Sequence, residues 1–202
     1  MSAEKHAPQD GDSSLPCYDW QRSYEWNYNH APSPLTVDEK PVAGTWNYCG
    51  LPVGSPLGIA AGPLLNGRWV LYYASLGFDV LTYKTVRSRA RASYPLPNLQ
   101  PVFAGRVAAR VKDAHGRKLF DGERRGIAGD AIREAALDQI RLFARVIGEH
   151  QLKLRMVGVG GIATAQNVRA QLAAGSHAVQ FGTAAMLDPQ VGLKIRGELA
   201  SG

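Results

Sequence analysis

The sequence predicts an α/β fold in which the strands of one sheet run parallel. Two observations predict it. Short apolar runs alternate with amphipathic helical segments in two blocks, residues 51–91 and 126–202, as expected for strands joined by helices. Small or helix-capping residues stand where the apolar runs end. Because strands joined by a helix are parallel and cross over in the right-handed sense, both blocks contribute strands to a parallel sheet.

The first block is a strand, a helix and a second strand. Leu57 to Gly62 is an apolar run that ends in small residues and predicts a strand. Asn66 is a helix-capping residue, and it predicts a helix that runs to about Leu76, where Gly77 supplies the stop. The following run, Phe78 to Val86, is rich in β-branched and aromatic residues and predicts the second strand.

The second block begins with a helix between Asp130 and Gly148. Apolar residues spaced by three or four positions line one face of this helix: Ile132, Ala136, Ile140, Phe143 and Ile147. The apolar run from Leu152 to Ile162 then predicts a buried strand.

Two more helices enclose the last predicted strand. Thr164 caps a helix that Gly175 closes, and Ala178 to Thr183 predicts the strand that follows. Asp188 and Pro189 then open the final helix, since a capping residue followed by proline is a typical helix start.

The first 50 residues have a different composition. Residues 1–16 are polar and predict a loose tail without a function. The segment after them must pack against something, because aromatic side chains carry a large area to bury. We expect an N-terminal extension that covers one end of a barrel of parallel strands, and a lid over a substrate or partner is the alternative. The segment holds seven of the chain's 17 aromatic residues: Tyr18, Trp20, Tyr24, Trp26, Tyr28, Trp46 and Tyr48.

A basic connector, residues 93–125, separates the two blocks. From Lys84 to Arg125 there are eleven Lys or Arg residues against three acidic ones, a local charge of +8 beside +6 for the whole chain. We interpret the segment as a solvated connector. Binding of an acidic partner is the alternative, and nucleic acid is not expected, because no nucleic-acid-binding motif accompanies the charge.

Composition excludes several classes of protein. With 45% hydrophobic residues the chain is not intrinsically disordered as a whole. It has no run of about 18 apolar residues and no secretion signal at its start, so we expect a cytoplasmic protein with no membrane contact. Cys17 and Cys49 lack the spacing of a zinc or iron–sulfur site, and we expect no metal.

The strongest functional signal is a pair of glycine turns near the end of the chain. Gly160 and Gly161 stand where a strand meets a capped helix, and Gly182 and Thr183 follow the next strand. Backbone N–H groups at such turns bind phosphate. Two consecutive turns of this kind form the phosphate site of (β/α)8 enzymes. A complete barrel takes about 250 residues, so this chain predicts an incomplete one.

The first block offers two further candidates at its strand ends. Ala61 and Gly62 carry no bulk, so a flat ring could lie against the backbone there. Lys84 and Thr85 end the next strand with an ammonium group and a hydroxyl, at the edge where barrel enzymes bind ligands. A surface lysine without a ligand is the alternative reading of Lys84.

Taken in order, these motifs resemble the flavin-dependent dihydroorotate dehydrogenases. The resemblance covers about residues 51–91 and 124–199. It rests on five segments: Leu51 to Gly62, Gly77 to Val86, Gly126 to Gly129, Val157 to Ile162 and Val179 to Ala184.

The resemblance implies an α/β TIM-barrel-like fold that retains strands one, two, seven and eight, with residues 51–202 as a single partial flavin-binding domain. It implies FMN as the cofactor and oxidation of dihydroorotate to orotate, a step of pyrimidine biosynthesis. Ala61, Gly62, Lys84 and Thr85 would contact the flavin ring, Lys84 also the substrate, and Gly160, Gly161, Gly182 and Thr183 would hold the phosphate.

The chain departs from the family pattern in its middle. Four βα units need about 120 residues at about 30 each, whereas about 40 residues separate Val86 from Ile127. The family's substrate-binding asparagines and its general base therefore have no counterpart, and we expect impaired catalysis. A non-catalytic FMN- or phosphate-binding remnant and a different phosphate-binding barrel enzyme are the alternatives. The open sheet edges also predict a homodimer that covers them.

Overall fold

The computed structural model describes residues 15–36, 46–89, 91–93, 96, 120 and 126–200. These residues form six helices and six strands, with a 3₁₀ turn at Gly129–Ile132 before the third helix. In chain order the elements are α1 (Tyr24–Asn29), β1 (Trp46–Tyr48), β2 (Leu51–Val53), β3 (Leu57–Ile59), α2 (Gly67–Ala74), β4 (Val80–Leu81), α3 (Arg133–Glu149), β5 (Val157–Val159), α4 (Ala165–Ala173), β6 (Ala178–Phe181), α5 (Thr183–Leu187) and α6 (Val191–Ala200).

Four of the strands form one parallel sheet in the order β4-β3-β6-β5. Gly58 of β3 is in register with Val80 of β4 on one side and with Gln180 of β6 on the other. β5 pairs with the far side of β6, where Val159 is in register with Gln180. Strands β1 and β2 form a separate antiparallel pair. The predicted α/β class with a parallel sheet is confirmed.

The helix ends follow the predicted capping residues. The side chain of Asn66 accepts a hydrogen bond from the Trp69 N–H at 3.1 Å, and that of Thr164 accepts one from Asn167 at 3.2 Å. Gly77 and Gly175 follow α2 and α4 with φ of +79° and +115°, a conformation that L side chains rarely adopt. Local sequence therefore sets the start and the stop of both helices.

The predicted strands are longer than the observed ones. Phe78 to Val86 forms a ladder only at 80–81, and Leu152 to Ile162 only at 157–159. Both β4 and β5 have a single neighbour in the described sheet, so the apolar residues beyond these positions lack a partner strand. The strand predicted to reach Thr183 ends at Phe181, because Thr183 begins α5.

The hydrophobic core lies between the sheet and the helices. One face of the sheet supplies four fully buried side chains to it, those of Leu57, Ile59, Val179 and Phe181. Helix α2 contributes aromatic rings: Tyr73 packs edge-on against Phe78 with ring centroids 6.0 Å apart, and Phe78 against Phe181 at 5.6 Å. This packing fixes α2 across β3, β4 and β6.

The aromatic-rich segment packs along α2. The indole N–H of Trp69 donates to the carbonyl of Asn27 at 2.9 Å, and the hydroxyl of Tyr72 donates to the carbonyl of Pro16 at 2.6 Å. At the other end of the helix the Leu35 N–H donates to Ser75 Oγ at 3.0 Å. These contacts support α2 from its outer side.

Two predicted segments lie largely outside the described residues, namely the polar tail and the basic connector. Within the described ranges, no helix has the length and apolar character needed to cross a membrane.

Candidate functional site

The carboxyl ends of the four parallel strands meet at one edge of the sheet. All eight residues that the sequence predicts to bind the cofactor lie at this edge, because each follows one of the strands. We call the residues after β3 and β4 the β3–β4 side and those after β5 and β6 the β5–β6 side. They are Ala61, Gly62, Lys84 and Thr85 on the first side, and Gly160, Gly161, Gly182 and Thr183 on the second.

The β3–β4 side is open. A Cβ atom added to Gly62 would meet no atom of the described residues within 4 Å, so space lies in front of the backbone there. Two backbone hydrogen bonds of 3.0 Å hold the chain after β4, from the Thr82 N–H to Ile59 and from the Lys84 N–H to Leu64. The half-buried Lys84 makes no ion pair with any residue in the described ranges. Its ammonium group is available to an anionic ligand.

Tyrosines of the aromatic-rich segment, called the N-terminal segment below, lie next to the β3–β4 side. Burial raises the pKa of Tyr24, and the nearby phenols of Tyr28 and Tyr83 add smaller contributions in the same direction. Asn66 also donates a hydrogen bond to the carbonyl of Tyr28 at 2.7 Å. The N-terminal segment is thereby joined to the loop that carries Gly62.

The glycine turn after β5 is filled rather than open. Gly160 and Gly161 have φ of +117° and +67°. A Cβ on Gly161 would lie 2.3 Å from the Cβ and 2.5 Å from the Cα of Arg133, and a Cβ on Gly160 would lie 3.0 Å from Ala136. The missing side chains therefore make room for the start of α3.

Open space returns at Gly182, where an added Cβ would again lie more than 4 Å from every atom in the described part of the chain. Thr183 follows as the first residue of α5. A Cβ on Gly129, whose φ is +75°, would lie 3.3 Å from Thr183 Cγ2. The turn that opens α3 thus touches the residue predicted to hold a phosphate.

Arg133 adds a cation beside these turns. It is the first residue of α3, and its guanidinium pairs with Asp130 and with Glu134, the latter at 3.3 Å. A cation at a helix N-terminus opposes the helix dipole, and the two carboxylates offset that effect.

Sequence reasoning missed one polar pair on the open face of the sheet. Gln180 Nε2 donates a hydrogen bond to Thr82 Oγ1 at 2.6 Å. Half of a signal exists in the sequence, because Gln180 is the one polar residue of β6 and Gly58 interrupts the apolar residues of β3. Thr82 gives no such signal, since it is one of several polar residues around β4.

Open glycines, a hydroxyl and an ammonium group that pairs with no described carboxylate suit a ligand that has a flat ring and an anionic end. In the described part of the chain no group of three or more His, Cys, Asp or Glu side chains could hold a metal ion. None of the described residues can be assigned as a general base from its position.

Comparison with known proteins gives a consistent match. Residues 105–202 match the family model described as "Dihydroorotate dehydrogenase". The "Dihydroorotate dehydrogenase" of Dictyostelium discoideum is 37% identical over 90 residues, which cover 42% of this chain and 24% of that protein.

Two bacterial relatives carry related names. "Dihydroorotate dehydrogenase A (fumarate)" of Lacticaseibacillus paracasei is 30% identical over 95 residues, 47% of this chain and 31% of that protein. "Dihydroorotate dehydrogenase B (NAD(+)), catalytic subunit" of Citrifermentans bemidjiense is 35% identical over 74 residues, 37% of this chain and 23% of that protein. In these alignments the chain spans about a quarter to a third of the relatives' length.

Proposed function

We propose that this chain is a member of the dihydroorotate dehydrogenase family, whose model matches residues 105–202, and that it binds FMN at the carboxyl edge of its parallel sheet and oxidises dihydroorotate there. One observation carries the proposal. Gly62 and Gly182 follow neighbouring strands β3 and β6, and both face open space. Beside them, Lys84 supplies an ammonium group and Thr183 a hydroxyl, and both suit an anionic cofactor that carries a ring.

Each side of the site has its own part in the proposal. Ala61 and Gly62 let the flavin ring approach the backbone, and the Lys84 ammonium balances negative charge on the ring or on the substrate carboxylate. On the other side, Thr183 and the backbone of Gly182 hold the phosphate. Thr85, Gly160 and Gly161 complete the set, the two glycines through their backbone N–H groups.

FMN, when bound, supplies a hydride acceptor for the oxidation of a C–H bond. The residues of this chain orient the ring, balance its charge and exclude water from one face. A proton must also leave the substrate, and no described residue is placed to take it. Turnover in this proposal is therefore slow compared with that of a complete barrel, which retains a general base.

Flavin titration tests the binding step. The purified chain is mixed with FMN, and the quenching of flavin fluorescence gives the Kd. Lys84→Ala should weaken binding roughly tenfold through loss of one charged contact. Lys153→Ala is the matched control, because Lys153 is an exposed lysine that precedes β5, at the opposite end of that strand. A wild-type chain that leaves FMN fluorescence unchanged overturns the proposal.

A non-catalytic FMN-binding remnant is the second candidate, favoured by the lack of an assignable base. Orotate formation from dihydroorotate, followed with excess FMN and an electron acceptor, separates the two. FMN binding with no orotate above the free-flavin background supports the remnant. Slow orotate formation that Lys84→Ala abolishes supports the oxidoreductase.

A second copy of the chain covers the open sheet edges in this proposal. Among the described strands, β4 and β5 each leave one edge without a neighbour. Val159 of β5 is 47% exposed, and Tyr83 after β4 is 50% exposed. A two-fold axis along the strands would place β4 of one copy beside β5 of the other and give eight parallel strands, the number in a closed barrel. Light scattering should give twice the mass of one chain, and a strict monomer would contradict it.

A further inference from the structure

The polar pair Thr82 and Gln180 connects the two sides of the site. Leu57, Ile59, Val179 and Phe181 face the helices, so alternation places Gln180 on the opposite, open face of the sheet. Gly58 lies beside Gln180 in the register, and Val80 lies beside Gly58. The side chain of Gln180 crosses this row and donates to Thr82 Oγ1 at 2.6 Å. The hydrogen bond thus spans from β6 to the end of β4, across β3.

Gly58 makes this crossing possible. A Cβ at Gly58 would lie 2.3 Å from the carbonyl oxygen of Val80, 2.9 Å from its Cβ and 3.2 Å from Cγ of Gln180. Any side chain at this position would therefore push Gln180 away from Thr82 and β4 away from β3. Glycine in mid-strand commonly marks such a close approach.

The end of β4 has few other attachments to the sheet. β4 pairs with β3 over two residues, and its other edge has no described neighbour. Beyond the ladder, the N–H groups of Thr82 and Lys84 are bonded to Ile59 and Leu64. No other side-chain hydrogen bond described at this edge reaches from the β5–β6 side to the chain after β4.

The geometry points to Gln180 as a positioning residue, which through Thr82 holds Lys84 at a fixed distance from Gly182 and Thr183. The inference rests on the proposed flavin site. Gln180 lies two residues before Gly182, and Thr82 lies two residues before Lys84. The hydrogen bond therefore sets the separation between the groups for the ring and those for the phosphate. Without it, Lys84 would move on an edge strand held by backbone hydrogen bonds alone.

Two substitutions of Thr82 test this role. Thr82→Val keeps the shape of the side chain and removes the acceptor, whereas Thr82→Ser keeps the hydroxyl. Thr82→Val should raise the Kd for FMN roughly fivefold, as expected for the loss of one hydrogen bond, and Thr82→Ser should stay within twofold of wild type. Because Lys84 acts on the ring, riboflavin binding should weaken by the same factor as FMN binding.

A double-mutant cycle with Lys84 separates positioning from general loosening. In a Lys84→Ala background, Thr82→Val should change FMN affinity by less than twofold, since there is no ammonium left to position. An undiminished fivefold loss in that background would show that Thr82 acts on the site by another route and would overturn the inference. Gln180→Met, which removes the donor, should reproduce the effect of Thr82→Val and add nothing to it.

The outcomes also separate this inference from the proposed function. A wild-type chain that binds neither FMN nor riboflavin overturns the proposed function, and this inference with it. If the wild-type chain binds FMN and Thr82→Val binds FMN with the same affinity, this inference alone is overturned.

Discussion

The candidate site uses glycine for two different physical reasons, one at the ends of β3 and β6 and another at the turn after β5. At Gly62 and Gly182 an added Cβ would meet no described atom within 4 Å, whereas at Gly161 it would overlap the backbone of Arg133. The ends of β3 and β6 thus present open surface, and the turn after β5 is a packing contact with α3. Glycines that look alike in the sequence therefore differ in the structure, because some leave space for a ligand and others leave space for a helix.

The largest difference should appear when Gly161 is replaced. Gly161→Ala forces a side chain into a left-handed conformation and against the Cα of Arg133. We expect a loss of about 3 kcal/mol or more in the free energy of unfolding. Urea denaturation followed by circular dichroism measures it. A loss below about 1 kcal/mol would mean that α3 moves easily, and the contrast between this turn and the open glycines would fail.

Gly62→Ala is the matched change at an open glycine. Its free energy of unfolding should stay within about 0.5 kcal/mol of wild type, because no described atom lies in the way. FMN affinity should instead fall roughly tenfold, since the methyl group occupies the space proposed for the ring. Equal FMN affinity in wild type and Gly62→Ala, measured by the same fluorescence titration, would argue against a ring at this position.

The sequence predicted the architecture more fully than the site. Helix caps, such as Asn66 and Thr164, are local signals, because the capping side chain bonds its own helix. The parallel order follows from the βα alternation. By contrast, the contact of Gly161 with Arg133 joins positions that only the folded chain brings together. The same is true of Gln180 and Thr82, which lie 98 residues apart.

Strand length was the least predictable property. Apolar residues before β5, such as Leu152 and Leu154, read as strand, yet they are 44% and 57% exposed. A strand exists only where a neighbour supplies hydrogen bonds. The sequence of one segment does not reveal whether that neighbour is present.

The capping residues of the two sides should differ in importance. Asn66 accepts a hydrogen bond from the Trp69 N–H and also donates to the carbonyl of Tyr28, whereas Thr164 accepts one from the Asn167 N–H. We expect Thr164→Ala to cost about 1 kcal/mol and Asn66→Ala about 2 kcal/mol. Asn66→Asp, which keeps the acceptor and loses the donor, should fall between wild type and Asn66→Ala in urea denaturation. Equal losses for the two alanine variants would show that the contact with Tyr28 contributes nothing.

The smallest effect should be an alkaline instability confined to the β3–β4 side. Burial, with a smaller contribution from Cys17, raises the pKa of Tyr72 from 10.0 to about 12. Above pH 10 the unfolded chain loses this proton while the folded chain keeps it, so stability falls as pH rises towards 12. Tyr72→Phe should be less stable than wild type near neutral pH, because it loses the hydrogen bond to Pro16.

Helix α2 carries two buried phenols, because burial raises the pKa of Tyr73 as well as that of Tyr72. Tyr72→Phe removes one of them, so above pH 10 its stability should fall less steeply than that of wild type. Free energies of unfolding at several pH values between about 8 and 11 give both slopes. Asn66→Ala is the control, because it also removes a hydrogen bond between α2 and the N-terminal segment but leaves both buried phenols in place. Identical slopes for wild type and Tyr72→Phe would mean that the contact between Tyr72 and Pro16 opens before the chain unfolds. The N-terminal segment would then be the first part of the β3–β4 side to detach.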